Sequence, residues 1–94
     1  MLVIIDKHPI DSKLFTNCCI NERLCLVYLI HRPGVMEGEL TFPILFENQE
    51  DTRRFFKEYH TFMYEEQPVY EFKGKAWFSI EFYKRIRNGI DNNA

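Results

Sequence analysis

Apolar residues recur along this chain with two periods, and the two periods place its elements. Leu2 to Ile5 is a short, mostly β-branched apolar run that predicts an opening strand, broken at His8-Pro9. Residues 12–20 carry both signals. Leu14, Phe15, Cys18 and Cys19 fall at helical spacing, and Asp11 and Ser12 suit a cap or a turn. The Thr, Cys and Ile content favours extended chain, and strand is the preferred assignment. Asn21-Glu22 marks a reversal. Residues 23–31 (RLCLVYLIH) are almost continuously apolar, as expected of a central strand covered on both faces. Arg32-Pro33-Gly34 ends that run. Residues 39–46 (ELTFPILF) predict its hairpin partner. Pro43 has no N–H for a ladder, so that strand lies at an edge, is bulged, or turns Pro43 away from its neighbour.

The helical period is clearest over residues 49–64. Asn48 is a good N-cap, and Glu50 and Asp51 put negative charge in the first turn, where the helix dipole favours it. Phe55, Phe56, Tyr59, Phe62 and Met63 form one apolar stripe, with Arg53, Arg54, Lys57, Glu58 and Thr61 on the other side. Pro68 stops the helix. Residues 69–72 predict a short strand, Lys73-Gly74 a turn, and residues 75–78 a strand that pairs back. Phe78, Phe82 and Ile86 are spaced by four, while Phe78, Ile80 and Phe82 alternate; a helix over 79–88, capped by Ser79 and ended at Asn88-Gly89, is preferred. Residues 90–94 read as a frayed tail. The pattern predicts a single α+β domain over residues 1–94. It comprises a small antiparallel sheet of about four to five strands, one main amphipathic helix and a short C-terminal helix.

Composition narrows the function classes. Ninety-four residues with 46% hydrophobic and 16% aromatic content can bury a core but not a large cofactor fold. The three cysteines, Cys18, Cys19 and Cys25, are odd in number and clustered, which predicts reduced, buried thiols in a cytoplasmic protein and not a disulfide framework. No apolar run has the length of a secretory core or a membrane span. Phe, Tyr, Met, Ile, Asn and Lys total 38 residues against 16 for Gly, Ala, Arg and Pro, a bias toward AT-rich codons that fits a phage or mobile element.

No sequence pattern specifies an active site. Gly34, Gly38, Gly74 and Gly89 match no phosphate-binding loop. Cys18, Cys19, Cys25 and His31 reach the ligand count of a zinc site, but without CxxC or HExxH spacing, and no metal or cofactor is expected. A cysteine nucleophile needs a base beside it, and the apolar flanks predict core thiols instead. Glu71-Phe72-Lys73 has the E-x-K form of metal-dependent nucleases, yet the one upstream Asp in the middle of the chain, Asp51, falls in the helix's first turn. No catalytic residue is assigned, and the chain is expected not to be an enzyme.

Charge and rings remain. Residues 35–72 hold nine Asp/Glu against three Lys/Arg, whereas residues 73–94 hold two against five. Tyr64, Glu65, Glu66, Tyr70 and Glu71 gather around Pro68 as an acidic, aromatic rim of the kind that suits a protein interface. The expected function is therefore a small non-enzymatic protein-binding module, a stoichiometric inhibitor or adaptor of a larger protein. Its composition suggests a phage accessory protein acting against a host or defence factor. The alternative is a small nucleic-acid-binding regulator working through Lys73, Lys75, Trp77, Lys84, Arg85 and Arg87, which the net charge of −2 disfavours. A homodimer is a further expectation, because an edge strand and a small core leave surface to cover.

Overall fold

Strand β1 (Leu2–Ile5) forms where the opening apolar run predicts it, but His8-Pro9 does not break the sheet. In the computed structural model, which describes residues 1–34 and 41–78, the chain turns at once into β2 (His8–Asp11), antiparallel to β1. The correction has two physical sources. Asp6 and Lys7 both take positive φ, 47° and 68°, the geometry of a two-residue type I′ turn, without the Asn-Gly signature that announces one. Pro9 faces Ile4 on an edge strand, where a missing N–H is tolerated.

The ambiguous stretch resolves as a 3-10 turn at Ser12–Leu14 followed by β3 (Phe15–Asn21). A second 3-10 turn, Glu22–Leu24, replaces the start of the expected central strand, so β4 begins later, at Leu26–His31. β5 (Thr41–Phe46) pairs with it antiparallel, as the hairpin pattern predicts. Pro43 sits opposite Tyr28 in a central strand. The Phe46 amide donates to the Cys25 carbonyl at 2.8 Å, and alternation from that bond points the Pro43 nitrogen away from β4.

Helix α1 (Gln49–Tyr64) follows, with the Asn48 side chain accepting from the Asp51 amide at 2.8 Å as its N-cap. β6 (Val69–Phe72) and the two-residue β7 (Ala76–Trp77) complete the described chain. The α+β class with one main helix holds, but the strands divide between two sheets. One has the order β2-β1-β6 and the other β3-β4-β5-β7. The β1–β6 pair is parallel, with Leu2 opposite Val69 and Ile5 opposite Phe72. The expected helix at 79–88, the tail at 90–94 and the first two residues of the 39–46 strand lie outside the described residues.

The core is one cluster between α1 and both sheets. Val3 and Ile5 of β1, Phe15 and Cys18 of β3, Val27 and Leu29 of β4, Ile44 and Phe46 of β5, and Phe72 of β6 enclose Phe55, Tyr59 and Phe62 of the helix stripe. Phe56 and Met63 pack at its margin. Burial of each large side chain here contributes roughly 1.5–3 kcal/mol. Phe55 is central, its ring 5.0 Å from that of Phe46 and edge-on to that of Phe72 at 5.6 Å.

Two substitutions test this geometry by urea unfolding. Lys7→Gly relieves a left-handed backbone and should stabilise the chain by about 0.5–1 kcal/mol. At Gly74 an added Cβ would lie 2.8 Å from Cε1 of the buried Phe72 ring. Gly74→Ala should therefore cost about 1–3 kcal/mol, since the ring must shift from its packing against Phe46 and Phe55.

Candidate protein-binding groove

Alternation along β6 decides where the acidic, aromatic rim goes. Neighbouring residues on a strand point to opposite faces. Tyr70 turns toward α1, its ring 6.0 Å from Phe55 and 5.8 Å from Phe62, and its hydroxyl donates to Glu58 at 2.6 Å. Burial, the bond to Glu58 and the Glu58 charge hold the Tyr70 phenol well above its ordinary range, partly offset by Arg54. Glu71 points to the opposite, exposed face. Tyr64 ends α1 and is 91% exposed. Glu65 and Glu66 form the turn after it, with Glu66 in the left-handed region at φ 54° and Glu65 accepting from the Gln67 side chain. Tyr64, Glu65 and Glu66 are therefore neighbours at the helix end, while Tyr70 and Glu71 are separated by the strand itself.

The basic candidates are also divided. Lys73 and Lys75 are exposed in the β6–β7 connection, and Trp77 lies on β7 opposite Leu45, 38% exposed. Lys84, Arg85 and Arg87 lie outside the described residues.

One concavity among the described residues was not expected from the sequence. It is an open groove of about 600 Å³, walled on one side by Arg53, Arg54, Lys57, Glu58 and Thr61 of α1 and on the other by Tyr70 of β6 and Gln67. Arg54 is fixed from three directions: its guanidinium is 3.3 Å from Asp51 Oδ1 and 3.3 Å from the Lys73 carbonyl, and lies 4.4 Å from the centre of the Phe72 ring. Arg53 reaches Glu22 at 3.4 Å in a solvent-exposed pair of the kind worth about 0–1 kcal/mol. Lys57 makes no ion pair among the described residues. With Arg53, Arg54 and Lys57 against the single carboxylate Glu58, the groove lining carries net positive formal charge within the acidic third of the chain. The sequence signal was there: all three cations of residues 35–72 fall at 53, 54 and 57, a pattern read as an ordinary solvated helix face.

The other chemical candidates do not assemble. Glu71 and Lys73 of the E-x-K fragment share a cleft of about 280 Å³ with Asp6, whose carboxylate accepts from the Ala76 amide at 3.4 Å. Asp51 instead pairs with Arg54. Among the described residues no group of three or more His, Cys, Asp or Glu is placed to hold a metal ion. Of the four thiol and imidazole candidates, Cys18 faces the core, Cys19 faces solvent, and Cys25 precedes β4. His31 is buried beside Phe15 at 4.8 Å, its Nδ1 without a hydrogen-bond partner among the described residues. The expectation of three buried thiols is thus corrected, because adjacent strand positions cannot share a face. No helix among the described residues is long and apolar enough to cross a membrane. No protein family, curated protein or solved structure matches the chain.

Burial and the neighbouring Cys19 push the Cys18 thiol from 9.0 up to about 12, and burial and Cys18 push the Tyr59 phenol from 10.0 up to about 12. Both groups stay protonated in the folded chain at a pH where the unfolded chain releases the proton. Stability should therefore be unaffected by them below pH ~8 and fall between about pH 9 and 12, by up to ~1.4 kcal/mol per pH unit for each group. Urea unfolding across that range should show the decline, flattened in Cys18→Ala and in Tyr59→Phe. A thiol reagent at neutral pH should modify Cys19 readily and leave Cys18 unmodified until unfolding.

Proposed function

We propose that this chain is a non-enzymatic protein-binding module that acts stoichiometrically, as an adaptor or inhibitor of a larger protein. One observation carries the reading: large apolar side chains stay exposed around the α1–β6 unit. Tyr64, at the end of α1, is 91% exposed, and Val69 and its register partner Leu2 are 52% and 38% exposed on the sheet face opposite the groove. Large aromatic and aliphatic side chains left in water on one small unit mark an interaction surface. The bias toward AT-rich codons fits a phage or mobile-element accessory role, with a host or defence factor as the bound protein.

The second reading, nucleic-acid binding, is favoured by one contact. The Arg54 bond to the Lys73 carbonyl sets the helix cations beside the basic β6–β7 connection. The two readings separate by capture from a nuclease-treated lysate of the source cell. The module reading predicts one partner at comparable molar amount, reduced roughly tenfold or more by Tyr64→Ala combined with Val69→Asp. Loss of all partners on nuclease treatment, with binding to an oligonucleotide that falls steeply with salt and with Lys73→Ala and Lys75→Ala, would replace it with the second reading.

A further inference from the structure

The hydrogen-bond parity of β6 defines what the groove can take. The Leu2 amide donates to the Pro68 carbonyl at 2.9 Å and the Asp6 amide to the Phe72 carbonyl at 3.4 Å. Alternation then commits the Tyr70 and Phe72 amides to β1 and turns the N–H and C=O of Val69 and Glu71 outward. β6 is the last strand of its sheet among the described residues, and its α1-facing side is one wall of the groove. An outward row of backbone donors and acceptors beside a helix is a template for an extended chain.

We infer that the groove binds an extended peptide segment of a partner protein as an added strand on β6, and that the segment alternates acidic with apolar residues. This rests on the protein-binding reading and names the partner's chemistry. Period two sends every second side chain of an added strand toward α1, where Arg53, Arg54 and Lys57 stand against the single carboxylate Glu58, held by the Tyr70 hydroxyl. Carboxylates suit that side. Arg54 is already oriented, Lys57 is available, and Arg53 exchanges an exposed pair with Glu22 at little cost. The intervening side chains fall on the other face, beside Val69 and Glu71, where an apolar group covers the exposed Val69 and a carboxylate would meet Glu71. The floor is firm, because the Tyr70 ring rests on Phe55 and Phe62. A basic segment would meet three cations, and a helical one would leave the β6 edge unused.

The test is selection of a displayed random-peptide library against the full-length chain, followed by affinity measurement on the enriched peptides. Enrichment of alternating acidic and apolar residues is the expected result. Arg53→Glu with Lys57→Glu should weaken such a peptide by about tenfold or more, while Lys13→Glu, on the turn that follows β2 at the far edge of the sheet, should not. Val69→Pro should weaken it by a similar factor of about ten, because it removes an outward N–H from the first residue of an edge strand, where proline is tolerated. Circular dichroism checks that each variant folds, and the wild-type chain provides a readout needing no variant: Val69 and Glu71 amides gain exchange protection when the peptide binds. Enrichment of basic peptides, of helical spacing, or of nothing overturns the inference, as does binding indifferent to Val69→Pro in a folded variant. Oligonucleotide binding lost in Arg53→Glu with Lys57→Glu, without peptide enrichment, overturns it too. A lysate partner that depends on Tyr64 and Val69, alongside a library yielding no acidic strand, leaves the module reading standing and removes only the strand-addition assignment.

Discussion

The parallel pairing of β1 with β6 is the constraint on which the rest depends. It joins the first strand of the chain to the strand after the helix, so pairing them closes a loop that holds most of the described elements. Long-range parallel pairing repays its loop-closure entropy only when side chains on both strands are buried together. Val3 and Ile5 meet that condition from one side and Phe72 from the other, all with essentially no exposure. With β1 on one edge of β6, the other edge has no strand beside it among the described residues and lies at the groove lined by α1.

The aromatic core and the surface groove are parts of one arrangement. Phe55 and Phe62 of α1 hold the Tyr70 ring from the inside, and Arg54 caps the Phe72 ring from the outside. The same helix therefore fixes β6 with its apolar stripe and lines the groove with its cationic side. The Tyr70 hydroxyl fixes the orientation of Glu58, the one carboxylate lining the groove, against three cations. A protein with this core can present such a groove without a separate device to build it.

Much of this was legible in the residues, and the remainder failed for identifiable reasons. The helix stripe and the Asn48 cap declare themselves because period and capping chemistry are local. The β4–β5 hairpin is legible because both strands are strongly apolar. The β1–β2 turn is not, since Asp6-Lys7 adopts by tertiary demand a conformation that Asn-Gly adopts by preference. The parallel β1–β6 pair leaves no local trace, as its partners are separated by most of the chain. Tyr70 and Glu71 read as one rim in sequence and lie on two faces in space. Arg53, Arg54 and Lys57 read as a solvated helix face because nothing local shows that an edge strand lies beside them.

Among the described residues, β6 has one edge committed to β1 and one edge open toward the groove. Residue-resolved amide hydrogen exchange in the unbound chain tests it most directly. The account predicts alternation along the strand, with slow exchange at Tyr70 and Phe72, whose amides donate to β1, and fast exchange at Val69 and Glu71. Uniform protection across the four residues would contradict it, showing the outer edge already occupied, whether by another part of the chain or by a second copy.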